Sequence, residues 1–185
     1  MRYPYLLAAV AVLWLCRRWL PDPYLYFKHA GHVRRLRAEI AHNADNVTAR
    51  RDLAKIWLTK KRPRRAIVLL EEARRRDRES AELPFLLGKA LFLAGRAEES
   101  LPLLVEAAQK SERQMYGEAY LVAGKALRSL GRFAEAEDAF ARLSSASHRA
   151  AAWIAQGDLA TRRGEERRAA VLYRRAAEAL QDFRF

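Results

Sequence analysis

Few side chains in this chain of 185 residues are placed to do chemistry. His29 and His32 stand one helical turn apart and could share a metal ion, but no carboxylate or cysteine completes a ligand set. His42 and His148 stand apart from them, and Cys16 is the only cysteine, so no intrachain disulfide can form. Glu71-Glu72 and Glu98-Glu99 lie among basic residues and read as solvated charge rather than an acid/base pair. There is no phosphate-cradling glycine loop and no nucleophile elbow. The expectation is a non-enzymatic protein with no metal and no cofactor. What does recur is cationic: Lys55, Lys89 and Lys125 each follow directly on a small residue, Ala54, Gly88 and Gly124. Ammonium groups repeated in this way suit recognition of a partner carrying acidic side chains.

Those small residues begin a longer pattern. Twelve, sixteen and nineteen positions after each comes Ala or Ser, then a bulky apolar residue, then another apolar one. The copies are Ala54, Ala66, Leu70, Ala73; Gly88, Ser100, Leu104, Ala107; Gly124, Ala136, Phe140, Leu143; and Gly157, Ala169, Tyr173, Ala176. Their small residues are 34, 36 and 33 apart, a period of paired-helix solenoid repeats. Gly95, Gly131 and Gly164 fall where a left-handed residue ends a first helix, while the first copy has Lys61 there, with Pro63 placed to start the second helix. Asn46 and Ser80 are expected N-caps. Apolar residues recur at three-to-four spacing, as in Leu53, Ile56 and Trp57, and no useful length alternates with a period of two.

The chain resembles the tetratricopeptide repeat (TPR) family over about residues 46–180, the best copy being Leu87-Gly88-Lys89-Ala90-Leu91-Phe92-Leu93-Ala94-Gly95-Arg96-Ala97-Glu98-Glu99-Ser100-Leu101. The resemblance implies an all-α solenoid of antiparallel helix pairs, with repeats at about 47–80, 81–114, 117–148 and 150–182 within a domain of residues 46–182. It further implies that first helices line a concave groove. By that resemblance the groove would hold Lys55, Lys89, Lys125 and Asp158, with Leu58, Phe92, Arg128 and Thr161 one turn on. Arg51, Phe85, Leu121 and Ile154 would lie one turn earlier. Lysines beside Phe85 and Phe92 fit a protein or peptide with acidic residues and an apolar anchor. The chaperone-tail clamp of some members is not expected, because Lys55 and Leu86 stand where its asparagines would be.

Charge is uneven within the net +13: residues 46–80 carry twelve basic and five acidic side chains. The densest piece is Lys60, Lys61, Arg62, Arg64 and Arg65, which could meet anionic headgroups or simply form solvated helix ends. Nucleic-acid binding is the weaker alternative, since no such motif accompanies the charge. Residues 1–21 are expected to form a hydrophobic anchor, spanning with Pro4 to Leu20, and residues 22–45 an amphipathic connecting helix with Val33, Leu36 and Ile40 on one stripe. The uncharged run from Tyr3 to Cys16 makes a helix of roughly 21 Å against a hydrocarbon core of roughly 30 Å, so the anchor is short and relies on snorkelling arginines. No small-x-small cleavage site follows it. The excess of arginine and lysine after the run favours a single-pass protein of the bacterial inner membrane with repeats in the cytoplasm. The alternative is an exported, periplasmic scaffold for envelope assembly or cytochrome maturation. Finally, Ala170, Val171 and Ala177 on the last helix predict an uncovered face suited to a homodimer.

Overall fold

The computed structural model of the chain describes residues 23–110, 116–143 and 146–181. The expected anchor at residues 4–20 lies outside the described residues. Among those described, no helix is long and apolar enough to cross a membrane.

Nine helices run through the described residues: α1 (Pro23–His42), α2 (Val47–Thr59), α3 (Pro63–Arg76), α4 (Glu82–Leu93), α5 (Ala97–Lys110), α6 (Tyr116–Ser129), α7 (Phe133–Ala141), α8 (Ala146–Arg162) and α9 (Glu166–Gln181). From α2 onward they pair as α2–α3, α4–α5, α6–α7 and α8–α9, and each pair packs on the next, while α1 lies against α2. Val33 and Leu36 are the buried stripe of α1, with Ile40 half-buried beyond them.

The turn inside each pair is built the same way. A backbone N–H just past the first helix donates to the carbonyl five residues earlier: Arg62 to Trp57, Arg96 to Leu91, Arg132 to Leu127 and Glu165 to Ala160, at 2.9–3.0 Å. This closure needs a left-handed residue immediately before the donor. Gly95, Gly131 and Gly164 supply it at φ 84°, 77° and 75°, and Lys61 adopts φ 54° in the first pair. Pro63 then begins α3, where its missing N–H costs nothing. Asn46 caps α2 by accepting the Ala49 N–H at 2.9 Å. Ser80 is the weaker cap: its hydroxyl accepts from Leu83 at 3.4 Å, and the helix begins one residue later than that cap requires.

The small residues set how closely the two helices of a pair cross. A Cβ built on Gly88 would fall 2.9 Å from Leu104 Cγ and 3.2 Å from the Ser100 carbonyl oxygen. On Gly157 it would fall 2.8 Å from Tyr173 Cε1. Ser100 is wholly buried, and its hydroxyl donates to the Ala97 carbonyl at 2.6 Å, so its polarity is satisfied. The core divides into sectors. One runs from Val33 to Ala123, a second from Leu127 to Leu159, and a third joins Ala160, Ala169 and Leu172. Leu101 and Tyr120, both half-buried, pack against the first and second.

Candidate functional site

The first helices of adjacent repeats are joined across their polar face by ion pairs. Arg51 on α2 reaches Glu82 on α4 at 3.2 Å, and Lys55 contacts the other oxygen of the same carboxylate. Arg51 also meets its neighbour Asp52 at 3.0 Å. That hydrogen bond, with the charge of Glu82 added, holds its guanidinium above the ordinary arginine range despite partial burial. At the other end, Arg128 on α6 donates to Asp158 Oδ2 on α8 at 3.0 Å, and the Tyr173 hydroxyl donates to Asp158 Oδ1 at 2.9 Å. Thr161 Oγ1 lies 3.4 Å from the same hydroxyl. These contacts join the polar side of α2 to that of α4, and the polar side of α6 to that of α8.

The cations along this face are therefore not equivalent. Arg51 is paired with Asp52 and Glu82, Lys55 with Glu82, and Arg128 with Asp158. Lys89 and Lys125, both half-buried, make no ion pair among the described residues. Lys89 Nζ lies 5.5 Å from the centroid of the Phe85 ring, a placement in which the negative face of the ring stabilises the ammonium.

Phe85 lies in the core rather than in the groove. Expected as an apolar contact for a partner, it is 4% exposed and belongs to the first core sector, with Lys89 over it. The reason is the pitch of α4, whose Leu83, Phe85, Leu86, Leu87, Ala90 and Leu91 are all buried as the helix meets neighbours on several sides. Phe92 and Leu121 remain half-buried, and Ile154 is exposed. Of the apolar residues expected in the groove, Leu58, Phe92, Leu121 and Ile154 thus remain open at least in part, and Phe85 does not.

Several contributors carry weaker sequence signals. Glu82 is signalled only as an acidic residue in the first turn of α4, and Tyr173 only as a bulky member of the repeat pattern. Arg50 is 4% exposed, pairing with Glu72 at 2.9 Å and donating to the Asn46 carbonyl at 3.4 Å. Nothing in its sequence neighbourhood distinguishes it from Arg51.

In the basic cluster, Lys61, Arg62, Arg64 and Arg65 are exposed and Lys60 is half-buried. On α9, Val171 is 49% and Leu180 53% exposed, and Ala170 and Ala177 are open to solvent. Among the described residues no three His, Cys, Asp or Glu side chains gather as a metal site would require.

No protein-family model matches the chain, and no curated protein matches it in sequence. Solved structures do match in fold. A crystal structure of MamA superposes with a TM-score of 0.73 at 22% identity, over 84% of this chain and 85% of that one. MamA from Desulfovibrio magneticus RS-1, residue 41 to its end, gives 0.72 at 13% identity, over 83% and 86%. YrrB, described as a TPR protein with an unusual peptide-binding site, gives 0.67 at 20% identity, over 85% and 82%. The fold is a TPR-type helical solenoid.

Proposed function

We propose that the chain is a non-enzymatic adaptor whose first-helix face holds an acidic segment of a partner protein. Lys89 and Lys125 would make the primary contacts, with Phe92 and Leu121 giving apolar purchase. What carries this reading is the selective pairing of charge: the outer cations have carboxylates of their own, and the two central lysines have none among the described residues. A carboxylate arriving between them need not break an existing ion pair, so it gains attraction without an internal loss. The peptide-binding description of YrrB is consistent with this use of the fold. Reversing both lysines, K89E/K125E, is expected to abolish capture of the partner from solubilised membranes while leaving thermal unfolding nearly unchanged. Undiminished capture would remove the assignment.

The adaptor is further proposed to be held at the bacterial inner membrane through residues 4–20, with the repeats in the cytoplasm. The support is the excess of arginine and lysine just after the apolar run. The periplasmic alternative is separated by C-terminal reporter fusions, one active only in the cytoplasm and one only outside it. Exposed Val171 and Leu180 on α9 favour self-association as a second reading. Sedimentation showing only monomer at high concentration would discard it.

A further inference from the structure

A different surface lies at the first repeat. Trp57, toward the end of α2, is 8% exposed, and three cations gather over its ring. Arg65 stands 4.9 Å from a ring centroid, Arg37 5.7 Å and Lys60 5.8 Å. They come from α3, α1 and the turn after α2, so the fold itself brings them together. Beside the ring runs a groove of about 430 Å³ lined by Arg37, Ile40, Leu53, Trp57, Arg65, Val68 and Leu69. Its lining has two cations, an aromatic ring and four aliphatic side chains, with no carboxylate. Val68 at its edge is 55% exposed.

Two of the three cations over the ring, Arg37 and Arg65, have no carboxylate partner among the described residues. Further along α3, Arg74 and Arg76 reach Glu106 and Asp45. Arg37, Lys61, Arg62, Arg64 and Arg65 make no ion pair among the described residues. Like charges that converge on one ring repel one another, and the quadrupole of the indole offsets only part of that repulsion. An anion with apolar substance behind it would satisfy both the cations and the groove.

We propose that this surface docks on an anionic phospholipid bilayer. Arg37, Lys60 and Arg65 meet headgroup phosphates, which guanidinium forks bind in two-point fashion. The aliphatic groove and Val68 lie against the glycerol and first acyl carbons. Trp57, 8% exposed, does not itself enter the bilayer; its ring holds the cations in place beside the groove. A nucleic acid fits less well, because stacking a base needs an open aromatic face, and here the ring is nearly buried beneath cations. The surface draws Arg37, Trp57 and Val68 into the cluster that the sequence marked only by charge. It is separate from the lysine pair and stands whether or not the adaptor reading does.

The full chain tests it with vesicles of phosphatidylcholine alone and of phosphatidylcholine mixed with phosphatidylglycerol. Insertion of the apolar N-terminal run contributes to both, so the ratio of the two partition constants isolates the anionic surface. That ratio is expected to be about tenfold or more at low salt, falling as salt rises. R37Q/K60Q/R65Q should bring it close to one. R167Q/R174Q/R175Q, which removes equal charge from exposed positions on α9, should leave it high. Val68→Asp, at a solvent-open position, should lower it without removing a cation, and it serves if the triple variant does not fold by circular dichroism. A ratio near one in the natural chain overturns the proposal, as do equal losses in the two triple variants. So does a cluster variant that keeps vesicle binding and loses single-stranded RNA instead.

Discussion

Phe140 occupies the space that a side chain on Gly124 would need: a Cβ built there lies 2.3 Å from Phe140 Cε1 and 2.7 Å from Cδ1. Phe140 is 1% exposed, so the ring cannot swing aside into solvent. Alanine ordinarily favours a helix over glycine by about 1 kcal/mol. Overpacking of a closed core costs about 1–3 kcal/mol, and a contact this close puts the cost at the upper end. Gly124→Ala is therefore expected to destabilise the chain by about 1–2 kcal/mol net, read as a lower denaturation midpoint. Adding Phe140→Leu to Gly124→Ala should cost less than the sum of the two single changes, a coupling that a double-mutant cycle measures. Strict additivity would mean that the ring does not set the crossing.

Lys61 is the one non-glycine residue with positive φ among the described residues, in a turn that the other three pairs make with glycine. A left-handed backbone costs a side-chain-bearing residue about 1–2 kcal/mol, and glycine gives part of that back through the freedom of its unfolded chain. Lys61→Gly is expected to stabilise by about 0.5–1 kcal/mol, seen as a rise of a few degrees in the thermal midpoint. No rise would mean that the lysine side chain contributes a compensating contact.

Glu82 is the carboxylate that pairs with Lys55 and, together with Asp52, with Arg51. On the adaptor reading, Glu82→Gln adds Lys55 to the two unpaired lysines, while Arg51 keeps its pair with Asp52. Affinity for a synthetic acidic peptide should rise, and its salt dependence should steepen. Titration calorimetry at two ionic strengths decides this, and a fall in affinity would show that Glu82 orients the lysines rather than masking them.

Two turns carry a two-point ion pair: Arg96 with Glu99 at 2.5–2.6 Å and Arg132 with Glu135 at 2.6–2.7 Å. The guanidinium hydrogen bonds hold both carboxyls below the ordinary value of 4.5. A carboxyl depressed in the folded state stabilises fully above its unfolded pKa, and the benefit disappears as pH falls through the folded one. E99Q/E135Q should therefore lose little extra stability between about pH 5 and pH 3, where the natural chain loses more. Both pairs are solvent-exposed, so the difference should shrink in high salt. Melting curves across that range, at two salt concentrations, provide the check.

Much of the architecture was legible because it depends on backbone demands that few residue types meet. Gly95, Gly131 and Gly164 stand where a left-handed turn is obligatory, and Gly88, Gly124 and Gly157 where helices nearly touch. The helical period also placed Val33 and Leu36 inside α1. The site was less legible. Spacing marked the recurring lysines, but whether a cation is free depends on the residue opposite it in space, and Glu82 lies 31 positions from Arg51. Phe85 was misplaced because a groove position and a core position on α4 are about one residue apart in rotation. The cations over Trp57 come from three elements that no local pattern connects.

The division of the core has a mechanical consequence. Its first boundary falls inside α6, between Ala123 and Leu127, with Lys125 on the helix between them. In a linear array each block opens nearly on its own, held to its neighbour only by the shared interface. A partner gripping Lys89 and Lys125 together would straddle that seam and act as a clasp. Bound, the two blocks should open as one, so the ligand would be felt as added cooperativity far from its own contacts. Slowed amide exchange in α8, beyond the reach of either lysine, would be its signature.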